Sequence, residues 1–291
     1  MKKSGVLAGA AAILAGIHQI DLSKLVDTTP CIEKFLNRWR QGAMEILANI
    51  SPDHPSYLAV QRLNLPFLCE ESYRLQSFLF PDGVAETPVT RLAFCHNDIQ
   101  ENNIMVTKTC MRLIDYEYSG YSYPAYDIAS YFWEMTCDYC VDSYPFFHID
   151  PTRYPSIEKR RIFIAMYLSK LLRTSIKTSD HDKIDPVLDA VERFQLACHM
   201  LWGFWSVIRA PQAATATSFD MLYYGQKRVD AYWTQKAKLI AAGVLPDSKG
   251  NSLSVGFLTV LYFQAGGDAK VPPIMTALIM RATAPPTITS I

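Results

Sequence analysis

Between Arg91 and Ile114 the chain places a dense polar loop, His96-Asn97-Asp98-Ile99-Gln100-Glu101-Asn102-Asn103, between two short segments that read as strands, Arg91 to Phe94 and Met111 to Ile114. The loop presents Asp98, Asn103 lies five residues later, and a second carboxylate, Asp115, directly follows the later strand. Two carboxylates and an amide on adjacent turns are hard oxygen donors that suit Mg²⁺, which takes a few such groups together with substrate phosphates. Asp98 is also suited to accept a proton from an alcohol. The spacing therefore points to metal-assisted phosphoryl transfer.

Around this loop the pattern is helical, which predicts an α+β chain that is mostly α. An N-terminal stretch to about His18 shows Leu7, Ala11, Leu14 and His18 on one face, and Ile32, Phe35, Leu36 and Trp39 give helical spacing further on. Tyr57 to Phe80 reads as one amphipathic helix broken at Pro66, with a turn at Pro81-Asp82-Gly83. Helices are predicted over about 127–139, 157–176, 185–209 and 218–241. Residues 1–245 are expected to form one catalytic lobe, with a helical lead-in over 1–90 and a catalytic core over 91–245. Residues 246–291, including the apolar run from Val255 to Phe263, show no sustained periodicity and stay unassigned. Asp127 precedes an apolar helical run and is expected to cap that helix through its backbone N–H groups, outside the catalytic set.

Composition narrows the classes of function. Lys plus Arg equals Asp plus Glu, so the chain has no general pull toward nucleic acid or an anionic membrane surface. Seven cysteines, with only Cys137 and Cys140 at C-x-x-C spacing, argue against a disulfide framework or a zinc set and for free thiols in a reducing compartment. Met1-Lys2-Lys3 and the Ala-rich stretch after it read either as a secretory signal or as a helix. No stretch is long enough for a membrane span, and the helix is the favoured reading.

The loop and its following Asp115-Tyr116-Glu117 resemble the catalytic loop and metal aspartate of protein kinases, with Asn97 in place of the arginine and Tyr116-Glu117 in place of Phe-Gly. Ile114-Asp115-Tyr116-Glu117-Tyr118-Ser119-Gly120-Tyr121, then Tyr126-Asp127-Ile128-Ala129 and Phe132-Trp133-Glu134, closely resemble the choline/ethanolamine kinase signature. A third block agrees: Arg193-Phe194, His199, Leu201-Trp202-Gly203-Phe204-Trp205-Ser206, Tyr224-Gly225-Gln226 and Arg228-Val229-Asp230-Ala231-Tyr232. The resemblance runs from about residue 90 to 240 and more weakly back to residue 5. It implies a cytoplasmic enzyme that transfers the γ-phosphoryl of ATP to the choline hydroxyl, making phosphocholine for phosphatidylcholine synthesis. Family members are often homodimers.

By that resemblance Asp98 is the base, Asn103 and Asp115 hold Mg²⁺ with Glu117 beside them, and Gln100 sits by the nucleotide. Tyr118, Tyr139, Trp202, Trp205, Phe219 and Tyr224 wall the choline pocket, with Glu134 complementing the headgroup. A quaternary ammonium has no N–H donor, so aromatic faces must hold it through cation–π attraction. Tyr116 to Tyr121 with Ala125-Tyr126 lean toward ethanolamine kinases. Asp138-Tyr139, Tyr144-Pro145-Phe146-Phe147 and the Trp202/Trp205 pair lean toward choline, the favoured substrate. An aminoglycoside site would be lined with carboxylates instead, against the Trp202 to Trp205 block.

One departure stands out. A kinase of this type needs a small β-rich lobe with a phosphate-covering loop, and residues 1–95 read as helices. Gly5, Gly9 and Gly16 lack the strand context of such a loop, and Lys2 and Lys3 are too terminal to replace a strand-borne lysine. The expected fold is thus the large lobe of a protein-kinase-like fold with most of the small lobe absent, and with little activity by itself. The alternative is an inactive remnant that only binds ligand or partner.

Overall fold

Helix α7 (His181–Arg209) is buried almost all round from Arg193 to Val207, as an axial helix with a largely apolar second half must be. The computed structural model describes residues 3–107, 110–210 and 219–246, and in these α7 is surrounded by α2 (Cys31–Asn49), α4 (Leu65–Leu79), α5 (Pro124–Glu134) and α8 (Met221–Ala241). The α7/α8 approach is very close, because a Cβ on Gly225 would come within 1.9 Å of the Ser206 hydroxyl. Glycine is required there by space alone.

Helix α1 (Lys3–Ile17) lays Ala10, Ala11, Leu14 and Ala15 against α6 (Ile157–Leu172), the small residues allowing the two backbones to approach. The predicted face of Leu7, Ala11, Leu14 and His18 is the inward one. The chain from Tyr57 to Phe80 forms two helices, α3 (Tyr57–Arg62) and α4, rather than one. The break falls at Leu63-Asn64, with Asn64 left-handed at φ 48°, and Pro66 stands in the first turn of α4, where its missing N–H costs nothing.

Helical content dominates and the strands are short, as predicted. Strand β1 (Ala93–Cys95) pairs antiparallel with β4 (Gly120–Ser122), and β2 (Ile104–Val106) pairs with β3 (Met111–Leu113). The two predicted strands are therefore in different sheets. Because Cys95 lies opposite Gly120, the polar loop after β1 and the turn before β4 leave the sheet at the same end. This topology brings Asp98 and Asp115 together. Strands β5 (Cys137–Asp138) and β6 (His148–Ile149) form a third two-stranded sheet, so α5 stops at Glu134 rather than running to 139.

Two further helix ends shift. Helix α6 ends at Leu172, where Arg173 turns left-handed and Thr174 N–H returns to the Ser169 carbonyl. Helix α7 begins at His181 and carries Pro186 inside. All seven cysteines are free, four of them buried. Among the described residues no helix is long and apolar enough to cross a membrane. The expectations for 247–291, for Lys2 and for a helix start at 218 lie outside the described residues.

Candidate active site

The polar loop after β1 is pinned from below. Asp127, in the first turn of α5 and fully buried, accepts the backbone N–H of His96 on Oδ2 and of Asn97 on Oδ1, both at 2.8 Å. Oδ2 also lies 3.1 Å from Nε2 of His18, whose other ring nitrogen hydrogen-bonds with the Tyr167 hydroxyl at 2.8 Å. Asp127 therefore does not cap its own helix, whose N-cap position is Tyr123 without a side-chain bond. Its carboxylate reaches outward because the loop N–H groups lie buried beside it and have no other partner.

The same loop is tied to the turn that carries Asp115. His96 Nε2–H donates to the Ile114 carbonyl at 2.9 Å, and Ile114 N–H donates to the Asn103 carbonyl at 3.0 Å. The Asn97 amide donates to the Tyr118 carbonyl at 3.0 Å. Asn97 and Asp115 are both left-handed, at φ 65° and 64°, a conformation that costs a non-glycine residue about 1–3 kcal/mol and persists only where the surroundings hold it. Here the cross-loop bonds hold it.

Asp98, Gln100, Asp115, Glu117, Tyr118, Glu134, Tyr139, Trp202, Trp205, Phe219 and Tyr224 line one cavity of about 390 Å³. Of the predicted site residues only Asn103 is not on its wall. Asn103 is buried beneath, and its amide donates to the Asp98 carboxylate at 2.9 Å and the Asp98 carbonyl at 3.0 Å. Burial pushes the Asp98 carboxyl above the usual carboxylate range, a rise that bonds from Gln100 and Asn103 oppose. Asp115 and Glu117 are exposed and take no hydrogen bond or ion pair among the described residues. Asp98, Asp115 and Glu117 all bring carboxylate oxygens to the cavity wall, though the three do not have oxygens all within 4.8 Å of one another.

The same cavity is lined by two aromatic clusters. Tyr118, Trp202 and Trp205 meet edge to face, with Trp202 and Trp205 centroids 5.1 Å apart and Tyr118 and Trp202 5.8 Å apart. The Trp205 indole N–H donates to the Tyr118 hydroxyl at 3.1 Å, fixing both rings. Opposite them Tyr139, Phe219 and Tyr224 cluster with centroids 5.3–6.5 Å apart. Glu134 joins the walls. One of its oxygens accepts the Tyr139 hydroxyl at 2.8 Å, and the other faces the buried guanidinium of Arg228 at 3.2 Å. Burial raises the Glu134 carboxyl and Arg228 opposes that rise.

Five contributors, Met221 among them, were missed from sequence. Trp39 backs the first wall, 5.9 Å from Tyr118 and 5.7 Å from Trp202, but its helical spacing marks it only as core. Arg228 lies within a quoted motif, yet a buried arginine cannot be told from an exposed one by type. Asn102 and Arg209 also line the cavity. Arg209 has a readable signal, since Trp202, Trp205 and Arg209 at i, i+3 and i+7 share one face of α7.

The profile of the choline/ethanolamine kinase family matches residues 1–233. The chain is 32% identical over 212 residues to the choline/ethanolamine kinase of Rattus norvegicus, an overlap of 69% of this chain and 52% of that protein. It is 33% identical over 218 residues to choline kinase alpha of Mus musculus, covering 72% of this chain and 45% of that one. The chain thus spans about half the length of the curated relatives it matches. Among solved structures, a choline kinase from Cryptosporidium parvum superposes with a TM-score of 0.71 at 29% identity, over 84% of this chain and 68% of that one. An ethanolamine kinase from Plasmodium vivax shares the fold, with a TM-score of 0.63 at 22% identity over 79% and 59% of the two chains. This chain belongs to the choline/ethanolamine kinase family.

Proposed function

We propose that the described residues form the catalytic and alcohol-binding side of a choline kinase, which passes the γ-phosphoryl of ATP to the choline hydroxyl. The observation that carries this reading is a single cavity whose wall holds both carboxylates and a set of aromatic rings. The trimethylammonium head packs against Trp202, Trp205, Tyr139 and Tyr224, each favourable cation–π contact adding roughly 0.5–2 kcal/mol. The hydroxyl then points to Asp98, which orients it and takes its proton. Asp115 and Glu117, with Asn103 beneath, would hold Mg²⁺, and Gln100 would face the nucleotide. Bound Mg²⁺ supplies charge neutralisation on the phosphates.

Choline is favoured over ethanolamine by the state of Glu134. Both of its oxygens already have partners, Arg228 and the Tyr139 hydroxyl. At Glu134 a primary ammonium finds no oxygen without a partner, whereas a quaternary one needs only negative potential and ring faces. The test is calorimetric titration of the purified chain with each alcohol, beside Trp205→Ala. Choline should bind more tightly than ethanolamine, and the substitution should weaken choline by about tenfold or more. Tighter ethanolamine binding would reverse the substrate assignment, and binding of neither would overturn the reading.

The nucleotide side is supported more thinly by this chain. Among the described residues every sheet has two strands, and none carries a glycine-rich phosphate loop. We therefore propose that these residues correspond to the large lobe of a protein-kinase-like fold and hold ATP weakly without further structure. A second reading, a choline-binding protein without catalysis, rests on the same observation. Prolonged incubation with Mg²⁺, ATP and labelled choline separates the two. Phosphocholine formation abolished by Asp98→Asn supports the kinase, and none above background supports the binder.

A further inference from the structure

Arg209 is the single basic residue on a cavity wall that also carries Asp98, Asp115, Glu117 and Glu134. It is exposed in the last turn of α7, and its guanidinium carbon lies 5.7 Å from the ring centroid of Trp205. Among the described residues it makes no ion pair and no hydrogen bond, although four carboxylates share the cavity with it. Among the described residues its one cation–π contact is with the Trp205 indole face.

A cation placed there is poorly matched to the free alcohol. Choline is positive, so Arg209 competes with it for the Trp205 face and repels it across the cavity. The phosphorylated alcohol is different, because it carries an ammonium at one end and an anionic phosphate at the other. With the ammonium in the aromatic box, its phosphate faces Asp98, Asp115 and Glu117, three groups of the wrong sign. A guanidinium is the side chain best shaped to offset them, through paired N–H bonds to phosphate oxygens.

We infer that Arg209 is a specificity-determining residue that makes this pocket hold the phosphorylated amino alcohol in preference to the free one. The inference rests on the amino-alcohol reading of the pocket. It deepens that reading by assigning the pocket a preference for product over substrate when no nucleotide is bound.

The test uses the purified chain without ATP or metal, titrated separately with choline chloride and phosphocholine at fixed ionic strength, with tryptophan fluorescence as the readout. Arg209→Gln should weaken phosphocholine binding by about tenfold, the usual effect of losing a charge-assisted bond at a partly exposed site. The same variant should leave choline unchanged or bind it up to about twofold tighter, since a competing cation has gone. Arg209→Lys should recover much of the phosphocholine affinity and keep its dependence on salt. The opposite response of two ligands is what a merely structural role would not produce. If choline binds and phosphocholine affinity does not move in Arg209→Gln, the inference fails while the pocket reading stands. Parallel weakening of both ligands also overturns it. If neither ligand binds the parent chain, the pocket reading fails and this inference with it.

Discussion

Asp98 stands between burial, which raises its carboxyl, and the Gln100 and Asn103 amides, which lower it by bonding the ionised form. Removing one amide therefore has a known sign. In Asn103→Ala the Asp98 carboxyl should titrate at higher pH than in the parent, visible in its ¹³C carboxyl shift, and the acid limb of any phosphoryl transfer should move the same way. A shift to lower pH would contradict the assigned bond. Glu134 obeys the same logic, with Arg228 as the group that lowers it. Arg228→Met leaves a buried carboxylate without its cation and should cost about 3–5 kcal/mol in urea unfolding. Choline affinity should then decline on acidification from a higher pH than in the parent. Adding Glu134→Gln should return part of the lost stability, because no charge is left unpaired. Asp98, Asp115, Glu134 and the tryptophan pair were legible in the sequence because local motifs carry them. Arg228 was not, since what makes it a site residue is a partner 94 positions away.

Helix α5 does more for the loop than its sequence suggests. Its Asp127 is an interior acceptor for three donors from two other segments, the His96 and Asn97 amides and the His18 ring. Asp127→Ala strands those donors in a dry interior, where each unsatisfied group costs about 1–3 kcal/mol. We expect a stability loss of about 3–5 kcal/mol by chemical unfolding, with faster amide exchange at His96 and Asn97. Normal exchange there would show that the loop is held by other means. The α7/α8 pair makes the converse demand. Gly225→Ala drives a methyl into the Ser206 side chain and should cost about 1–3 kcal/mol by overpacking. Gly225→Ala combined with Ser206→Gly should recover part of that loss. Periodicity gave the helices of this region to within a few residues, and the missed ends have local causes. The left-handed Arg173 closes α6, and the β5/β6 pairing ends α5 early.

At the scale of the whole molecule, positioning and charge neutralisation are the main sources of phosphoryl-transfer catalysis. On the proposed reading, the described residues would supply the acceptor alcohol's side of that geometry. Binding and turnover should therefore separate: the chain should bind choline but form phosphocholine slowly at saturating alcohol. Titration and turnover assays on one preparation check this, and rapid turnover would show that these residues grip the nucleotide after all.

Residue type and spacing by themselves determined that an all-oxygen donor set follows a polar loop, that the body is helical, and that an aromatic pair shares one face of a long helix. Those are properties of neighbours within a turn or two, where chain geometry leaves few alternatives. Only the tertiary structure decided that β1 pairs with β4, which carries Asp98 and Asp115 to one end of a sheet. It also decided that Arg228 neutralises Glu134 and that Asp127 serves the loop rather than its own helix. Each of these depends on which distant segment fills a buried space, and burial is decided by the packing of the whole chain.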